Sequence, residues 1–171
     1  MHVIKFETTL GQTIVAGNEQ GLAGVWFVDQ RHFAGVQEDW IPEETELLHT
    51  AKQQLLAYFV GDLQQFDLPL APQGTEFQER VWQALQQIDY GVTCSYGDIA
   101  KQLNQPKAVR AVGAAVGKNP LSIIIPCHRV LGSQKQLTGY AGGLERKQWL
   151  LQLEQNTKLK TEPDQLQAKP A

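Results

Sequence analysis

Cysteine, histidine and arginine stand side by side at Cys127, His128 and Arg129, directly after Pro126, in the stretch IIIPCHRVLGS. A thiol reacts as its thiolate, and with a free pKa of about 8.5 only a few per cent is ionised at neutral pH. A nucleophilic cysteine therefore needs a base or a positive charge beside it, and the two residues that follow are of those types. The plain alternative is a buried, inert cysteine with His128 and Arg129 in solvent. Successive side chains on a strand point to opposite faces, which disfavours a direct Cys127–His128 bond. Pro126 ends the ladder and lets the chain turn, and a bridging water could span the gap. A histidine used this way needs an orienting carboxylate. None is close in sequence: Glu154 is the first choice if the last helix folds back, with Glu145 and Asp98 as alternatives.

The elements that must position these residues follow from periodicity. Residues 2–8, 12–17 and 22–28 alternate as short strands separated by TLGQ and GNEQG, which predicts an antiparallel meander. After Pro42, apolar residues at Leu47, Leu48, Ala51, Leu55, Tyr58 and Phe59 predict a helix that Gly61 stops. A short strand is expected at Phe66–Leu68, and LPLAPQGT reads as a linker near residue 73. Thr75 with Gln78, and Ser95 with Asp98, are capping signatures for two further helices, the first burying Phe77, Val81, Leu85 and Ile88. NQP ends the second of these and places Pro106 in the first turn of a helix over 106–117, which makes a helix-turn-helix. LSIII is expected as a buried strand, GSQKQLTGYAGG as a glycine-rich wing, and LERKQWLLQLEQ as a final helix with Trp149, Leu150 and Leu153 inward. Residues 156–171 read as a mobile polar tail.

Composition narrows the class. The 171 residues carry a net charge of −3 and 42% apolar residues, as a soluble globular chain does. Neither a leader peptide nor an apolar run of about 18 residues is visible, so membrane association is not expected. Two cysteines, Cys94 and Cys127, are too few for a disulfide scaffold or an all-cysteine zinc site and suit a reducing, cytoplasmic setting. Charge is unevenly spread. Nothing between Ile99 and Leu144 is acidic, whereas Lys101, Lys107, Arg110, Lys118, Arg129 and Lys135 are basic, the footprint of a polyanionic partner.

The 106–117 helix sharpens that footprint. At roughly 100° per residue, Ala108, Val109, Val112, Ala115 and Val116 share a core face. The opposite face is Arg110, Gly113, Ala114 and Gly117, where glycine costs about 1 kcal/mol relative to alanine. Such a face either packs tightly on another helix or lies flush in a narrow minor groove with Arg110 as its one long projection.

In order along the chain, SYGDIA, PKAVRAVGAAVGKNP, IPCHRV and GYAGGLERKQWLL closely resemble the methylated-DNA–protein-cysteine methyltransferases, the alkylguanine-DNA alkyltransferases of direct repair. The resemblance runs at least from Phe77 to Glu154, and the part before it is similar in size and layout only. It implies a ribonuclease-H-like α/β domain (an antiparallel sheet plus a helix, residues 1–72), then a mostly α, winged helix-turn-helix catalytic domain (73–155). It implies transfer of the alkyl group of 6-O-alkylguanine in double-stranded DNA to Cys127, once per molecule, with 4-O-alkylthymine as a second candidate substrate. No cofactor or metal is implied, and the expected partner of this monomer is the DNA minor groove.

Residue by residue, the resemblance gives His128 the thiol proton through a water, with Glu154 orienting it. It makes Asn119 the hinge of the recognition helix and Tyr96 the donor to ring nitrogen 3 of guanine. Arg110 becomes the finger that fills the stack after the base flips out, a step that costs a few kcal/mol. Tyr140 walls the pocket, the carbonyls of Cys127 and Val130 accept from the base's amino group, and Lys147 adds positive charge. Gly113, Ala114 and Gly117 form the groove-facing surface. Two departures stand out. Ala141 occupies a position where some members have serine, and the four-cysteine zinc module of longer relatives is absent. A DNA-binding module with an inert cysteine, or a Cys-His hydrolase or redox enzyme, are the competing classes. The first leaves Glu154 without a purpose, and the second does not account for Arg110 on its small-residue face. Cys94, His2, His32 and His49 receive no role.

Overall fold

Three strands, β1 (His2–Thr8), β2 (Gly11–Asn18) and β3 (Gly21–Phe27), form the expected antiparallel meander in the order β1-β2-β3. The computed structural model describes the backbone of residues 1–168 and the side chains of residues 1–160. Alternation along β2 divides the sheet's two faces. Val15, with Val25 and Phe27 of β3, joins the main core, whereas Ile14 and Ala16 join a smaller cluster with Val3 that Trp26, Phe33 and Trp40 cover. Helix α1 (Glu46–Phe59) packs on the main-core face through Leu48, Ala51, Leu55, Tyr58 and Phe59. Thr45 caps it, and Gly61 at φ +82° closes it with bonds from Gly61 N to Tyr58 O and Asp62 N to Ala57 O. That left-handed closing turn suits a residue without a Cβ.

The strand expected at Phe66–Leu68 is absent. One bridge forms slightly later, Leu70 beside Leu22 of β3, held by Leu22 N to Pro69 O and Ala71 N to Leu22 O. Gly21 admits this close approach, since a Cβ there would meet Pro69 O at 2.6 Å. Farther along the same edge Val25 bridges to Leu121. The second half of the chain is thereby fastened to the sheet of the first, and both halves contribute to one continuous core.

Both predicted capping boxes form, Thr75–Gln78 on α2 (Glu76–Leu85) and Ser95–Asp98 on α3 (Tyr96–Gln102). Helix α2 ends at Leu85, so Ile88 is half-buried in the turn beyond it. Helix α4 spans Val109–Gly117 rather than 106–117. Asn104 at φ +58° closes α3, with Asn104 N on Lys101 O and Gln105 N on Ala100 O. Pro106 therefore follows the end of α3 instead of opening α4, the other position proline favours. Because α4 starts late, Val109 is 40% exposed and the core face reduces to Val112, Ala115 and Val116.

LSIII is buried but is not a strand. Ile124 N bonds Ser122 O around Ile123 at φ +73°, a tight γ-turn rarely adopted by a β-branched residue. The next turn, centred on Pro126, brings Cys127 N to Ile125 O at 2.7 Å and leads into a single 3-10 turn, Cys127–Arg129. Strands β4 (Cys94–Ser95) and β5 (Val130–Leu131) then pair in parallel. The wing expected over 132–143 is a loop without strands, and α5 runs Leu144–Ala168 with Leu150 fully buried. Residues 156–168 of the expected tail continue α5 as helix, and 169–171 lie outside the described residues. Among the described residues no helix is long and apolar enough to cross a membrane.

Candidate active site

The 3-10 turn decides how the three chemical side chains are presented. Such a turn places successive side chains about 120° apart, not on opposite faces as a strand would. All three are buried: Cys127 is 5% exposed, His128 0% and Arg129 7%. The solvent-facing arginine of the inert alternative is thus not what forms. Arg129 is withdrawn from the basic surface, while Lys101, Lys107, Arg110, Lys118 and Lys135 are exposed.

Glu154, reaching in from α5, is the carboxylate that meets this turn. Glu145 is exposed and Asp98 is engaged in the α3 capping box. Oε2 of Glu154 accepts from His128 Nε2 at 2.7 Å, from the Tyr58 hydroxyl at 2.6 Å and from Arg129 Nη2 at 3.0 Å. Oε1 accepts from Arg129 Nε at 2.8 Å and from Gly91 N at 3.0 Å. The third arm of Arg129, Nη1, donates to Ile88 O at 2.7 Å. Burial opposes ionisation of Glu154, yet the His128 and Arg129 bonds outweigh it and hold the carboxyl far below its usual range. An ionised carboxylate only accepts, so His128 Nε2 carries the hydrogen and Nδ1 the lone pair. Nδ1 is buried and makes no hydrogen bond among the described residues. Burial pushes the His128 pKa down, with Arg129 and Lys147 adding to it against Glu154, so the imidazole rests neutral.

Cys127 is held as a thiol at rest. Burial raises its pKa, and a hydrogen bond from Asn119, the Lys147 charge and the backbone N–H groups of Cys127 and His128 pull it part of the way back. Asn119, 4% exposed just past the end of α4, ties the helix to the cysteine loop. Its amide donates to Ile125 O at 2.8 Å and its oxygen accepts from Leu121 N at 2.9 Å. Lys147 is fully buried and donates to Val130 O at 2.6 Å and Thr138 O at 2.8 Å. Burial brings its pKa down to about 8. Val130 O is therefore already engaged, with one lone pair left for another donor. Cys94, by contrast, is half-buried in β4 with its thiol pushed up to about 11, as an inert cysteine would be.

A cleft of about 400 Å³ lies between α4 and the wing loop, lined among others by Tyr96, Gly113, Ala114, Gly117, Tyr140 and Ala141. The sequence reading singled out all six. The cleft also takes Arg31, His32, Val109 and Lys118, which that reading did not place there. Tyr140, 6% exposed, links the cleft wall to the cysteine; burial raises its pKa well above the usual value, and a Cys127 thiolate would raise it further. Tyr96 opens α3, and its hydroxyl lies 3.5 Å from Thr138 O and 3.4 Å from Gly139 O. Close packing of the small-residue face of α4 on another helix is excluded. A Cβ at Gly117 would meet nothing within 4 Å, and one at Gly113 only the Tyr96 ring at 3.9 Å. Arg110 is exposed on this helix. Among the described residues no group of three or more His, Cys, Asp or Glu could hold a metal ion.

Tyr58 is a functional candidate without a signal in the sequence, and Arg129, expected as a charge beside the thiol, instead pairs with Glu154. Tyr58 read only as a core position on α1, and its partner Glu154 lies 96 residues away. For Arg129 the signal was present: a buried carboxylate in a basic region needs a cationic partner.

Comparison with known proteins covers both halves of the chain. Residues 1–72 match the family described as 6-O-methylguanine DNA methyltransferase, ribonuclease-like domain, and residues 76–156 its DNA binding domain. The methylated-DNA–protein-cysteine methyltransferase of Methanosarcina acetivorans is 49% identical over 154 residues, which is 90% of this chain and 98% of that one. Its counterpart from Mycobacterium leprae is 47% identical over 91% of this chain and 93% of its own. The crystal structure of Mycobacterium tuberculosis OGT in complex with DNA superposes with a TM-score of 0.85 at 43% identity, covering 92% of this chain and 94% of that one.

Proposed function

The chain belongs to the 6-O-methylguanine-DNA methyltransferase family, and we propose that Cys127 is the alkyl acceptor through which it repairs DNA by direct reversal. The reaction moves the alkyl group of 6-O-alkylguanine in DNA to the protein's own cysteine, once per molecule. One observation carries the assignment. A buried thiol adjoins a histidine whose Nε2–H is committed to Glu154, which leaves basic Nδ1 for the thiol proton. His128 Nδ1 takes that proton through a water, and the Cys127 thiolate attacks the alkyl carbon. As the carbon–oxygen bond breaks, its electron pair stays with the guanine 6-oxygen. Tyr96 donates a hydrogen bond toward ring nitrogen 3 of the departing guanine anion, which takes up one proton from water while His128 returns the thiol's proton to water, so the products are a Cys127 thioether and intact guanine. Nothing in the site can hydrolyse a thioether, so turnover ends there.

Substrate delivery falls to α4. Its bare face lies in the minor groove, Arg110 fills the gap left by the flipped nucleotide, and the base enters the cleft between Tyr96, Gly113, Ala114 and Gly117 on one side and Tyr140 and Ala141 on the other. Asn119 couples α4 to the cysteine loop, and the remaining lone pairs of the Cys127 and Val130 carbonyls take the base's amino group. Lys147 contributes positive charge where the thiolate forms. The protein acts as a monomer, and two unpaired thiols suit the cytoplasm. The test is mass spectrometry after incubation with duplex bearing 6-O-methylguanine. One methyl group is expected on the peptide that contains Cys127. An unmodified peptide at equimolar DNA overturns the assignment.

A further inference from the structure

We propose that Tyr58, supplied by α1 of the N-terminal domain, is a positioning residue for the Cys127 proton relay: its hydroxyl fixes the Glu154 carboxylate and so sets the basicity of His128. The inference rests on the function proposed above. Tyr58 is fully buried, and its 2.6 Å bond to Glu154 Oε2 is the shortest of the five that converge on that carboxylate. The same oxygen accepts the His128 Nε2–H, and the Tyr58 hydroxyl also stands 3.5 Å from that nitrogen. Phenol and imidazole therefore share the negative charge of one oxygen atom. Burial and the neighbouring carboxylate keep the Tyr58 hydroxyl protonated throughout the working range, so it remains a donor.

The groups facing His128 and Glu154 come from several elements. Arg129 belongs to the same turn, Lys147 to α5, Cys127 adjoins, and Tyr90, after α2, lies under the Arg129 guanidinium at 5.6 Å. Of the groups named, Tyr58 is the one from the N-terminal domain. The cations Arg129 and Lys147 disfavour an imidazolium by direct repulsion, whereas neutral Tyr58 does so by withdrawing charge from the oxygen that would stabilise it. Removing the hydroxyl leaves Oε2 more negative, raises the His128 pKa and frees the carboxylate to turn. The ring itself has a separate packing role against Phe59, Phe66 and Tyr90, which phenylalanine preserves.

The experiment compares wild type with Tyr58→Phe, reacting each with free 6-O-benzylguanine from about pH 5 to about pH 9. The acid limb of the rate profile is expected to move up by about one pH unit, the scale of one lost hydrogen bond to a charged group. At a pH on that limb the rate falls about tenfold. A variant that melts at lower temperature but keeps the wild-type limb overturns the proposal, since a purely structural tyrosine would behave that way. Should Tyr58→Phe not fold, 3-fluorotyrosine at position 58 retains the shape and donates more strongly. The limb must then move to lower pH, and an unmoved limb is equally fatal. Wild type that fails to alkylate from methylated duplex would instead defeat the function proposed above, so the two failures are distinguishable.

Discussion

Replacing Arg129 with methionine tests whether the buried ion pair holds the site together. The guanidinium makes two bonds to Glu154, at 2.8 and 3.0 Å, and one to Ile88 O at 2.7 Å, with its side chain 8% exposed. Methionine keeps the apolar stem but leaves Glu154 as a buried carboxylate without its main counter-charge. Removing one partner of a buried pair costs about 3–5 kcal/mol. Tyr58, His128 and Gly91 N still donate to the carboxylate, which argues for the lower end. At about 2–4 °C per kcal/mol for a chain of this size, the melting temperature should fall by about 6–12 °C. Arg129→Lys should lie between the two, because an ammonium keeps the charge but cannot form the paired fork.

The pH dependence gives the same prediction a sign. Wild-type Glu154 is held far below its usual pKa, so its stabilisation is fully present above the unfolded value of about 4.3. It is lost only as pH falls through the much lower folded value. Without Arg129 the folded pKa rises, the variant binds its proton earlier, and the stability gap must narrow toward acid. His128 loses a repelling neighbour and becomes easier to protonate, so Cys127 alkylation near neutral pH should slow as well. Thermal melts across pH, paired with alkylation by free 6-O-benzylguanine, read both effects. A melting temperature within about 2 °C of wild type, or a gap that widens toward acid, would refute the reasoning.

Two further outcomes bear on DNA. Arg110→Ala should slow repair of methylated duplex more than reaction with free 6-O-benzylguanine, since only the duplex requires flipping; equal losses would remove Arg110 from that step. Gly117→Glu should weaken duplex binding with little change in melting temperature, because a Cβ there has nothing within 4 Å. Unchanged affinity in a gel-shift titration would mean that this face of α4 does not meet DNA.

What the sequence made legible was local. The Thr75–Gln78 and Ser95–Asp98 boxes, the Gly61 stop and the three strands each depend on residues within one turn or one hairpin. Glu154 was nameable as the carboxylate that meets His128, at 2.7 Å in the structure, because a basic region leaves few carboxylates to choose from. The errors have a common cause. LSIII looked like a strand because burial was read as pairing, yet its apolar side chains are buried by tertiary packing while the backbone turns at Ile123. Pro106 satisfies both the end of one helix and the start of the next, and only the closing bonds of α3 separate the two. Tyr58 gave no signal because a hydroxyl on a helix's apolar stripe is indistinguishable from ordinary core.

Replacing the expected strand with a turn changes the logic of the cysteine. On a strand the nucleophile would owe its presentation to rigid pairing, and His128 would face away from it. On the 3-10 turn all three side chains are buried together and are held from outside it: Cys127 by Asn119 after α4, His128 and Arg129 both by Glu154 on α5, and Arg129 also by the Ile88 carbonyl. A nucleophile that is consumed by one reaction cannot be left reactive toward every passing electrophile. Burial supplies that restraint by raising the thiol's pKa, and the neutral, Glu154-anchored imidazole is the base proposed above. Reactivity is then limited by which electrophile can be brought to the sulfur. With substrate entering, as proposed, through the cleft beside the small-residue face of α4, selectivity resides more in α4 than in the cysteine.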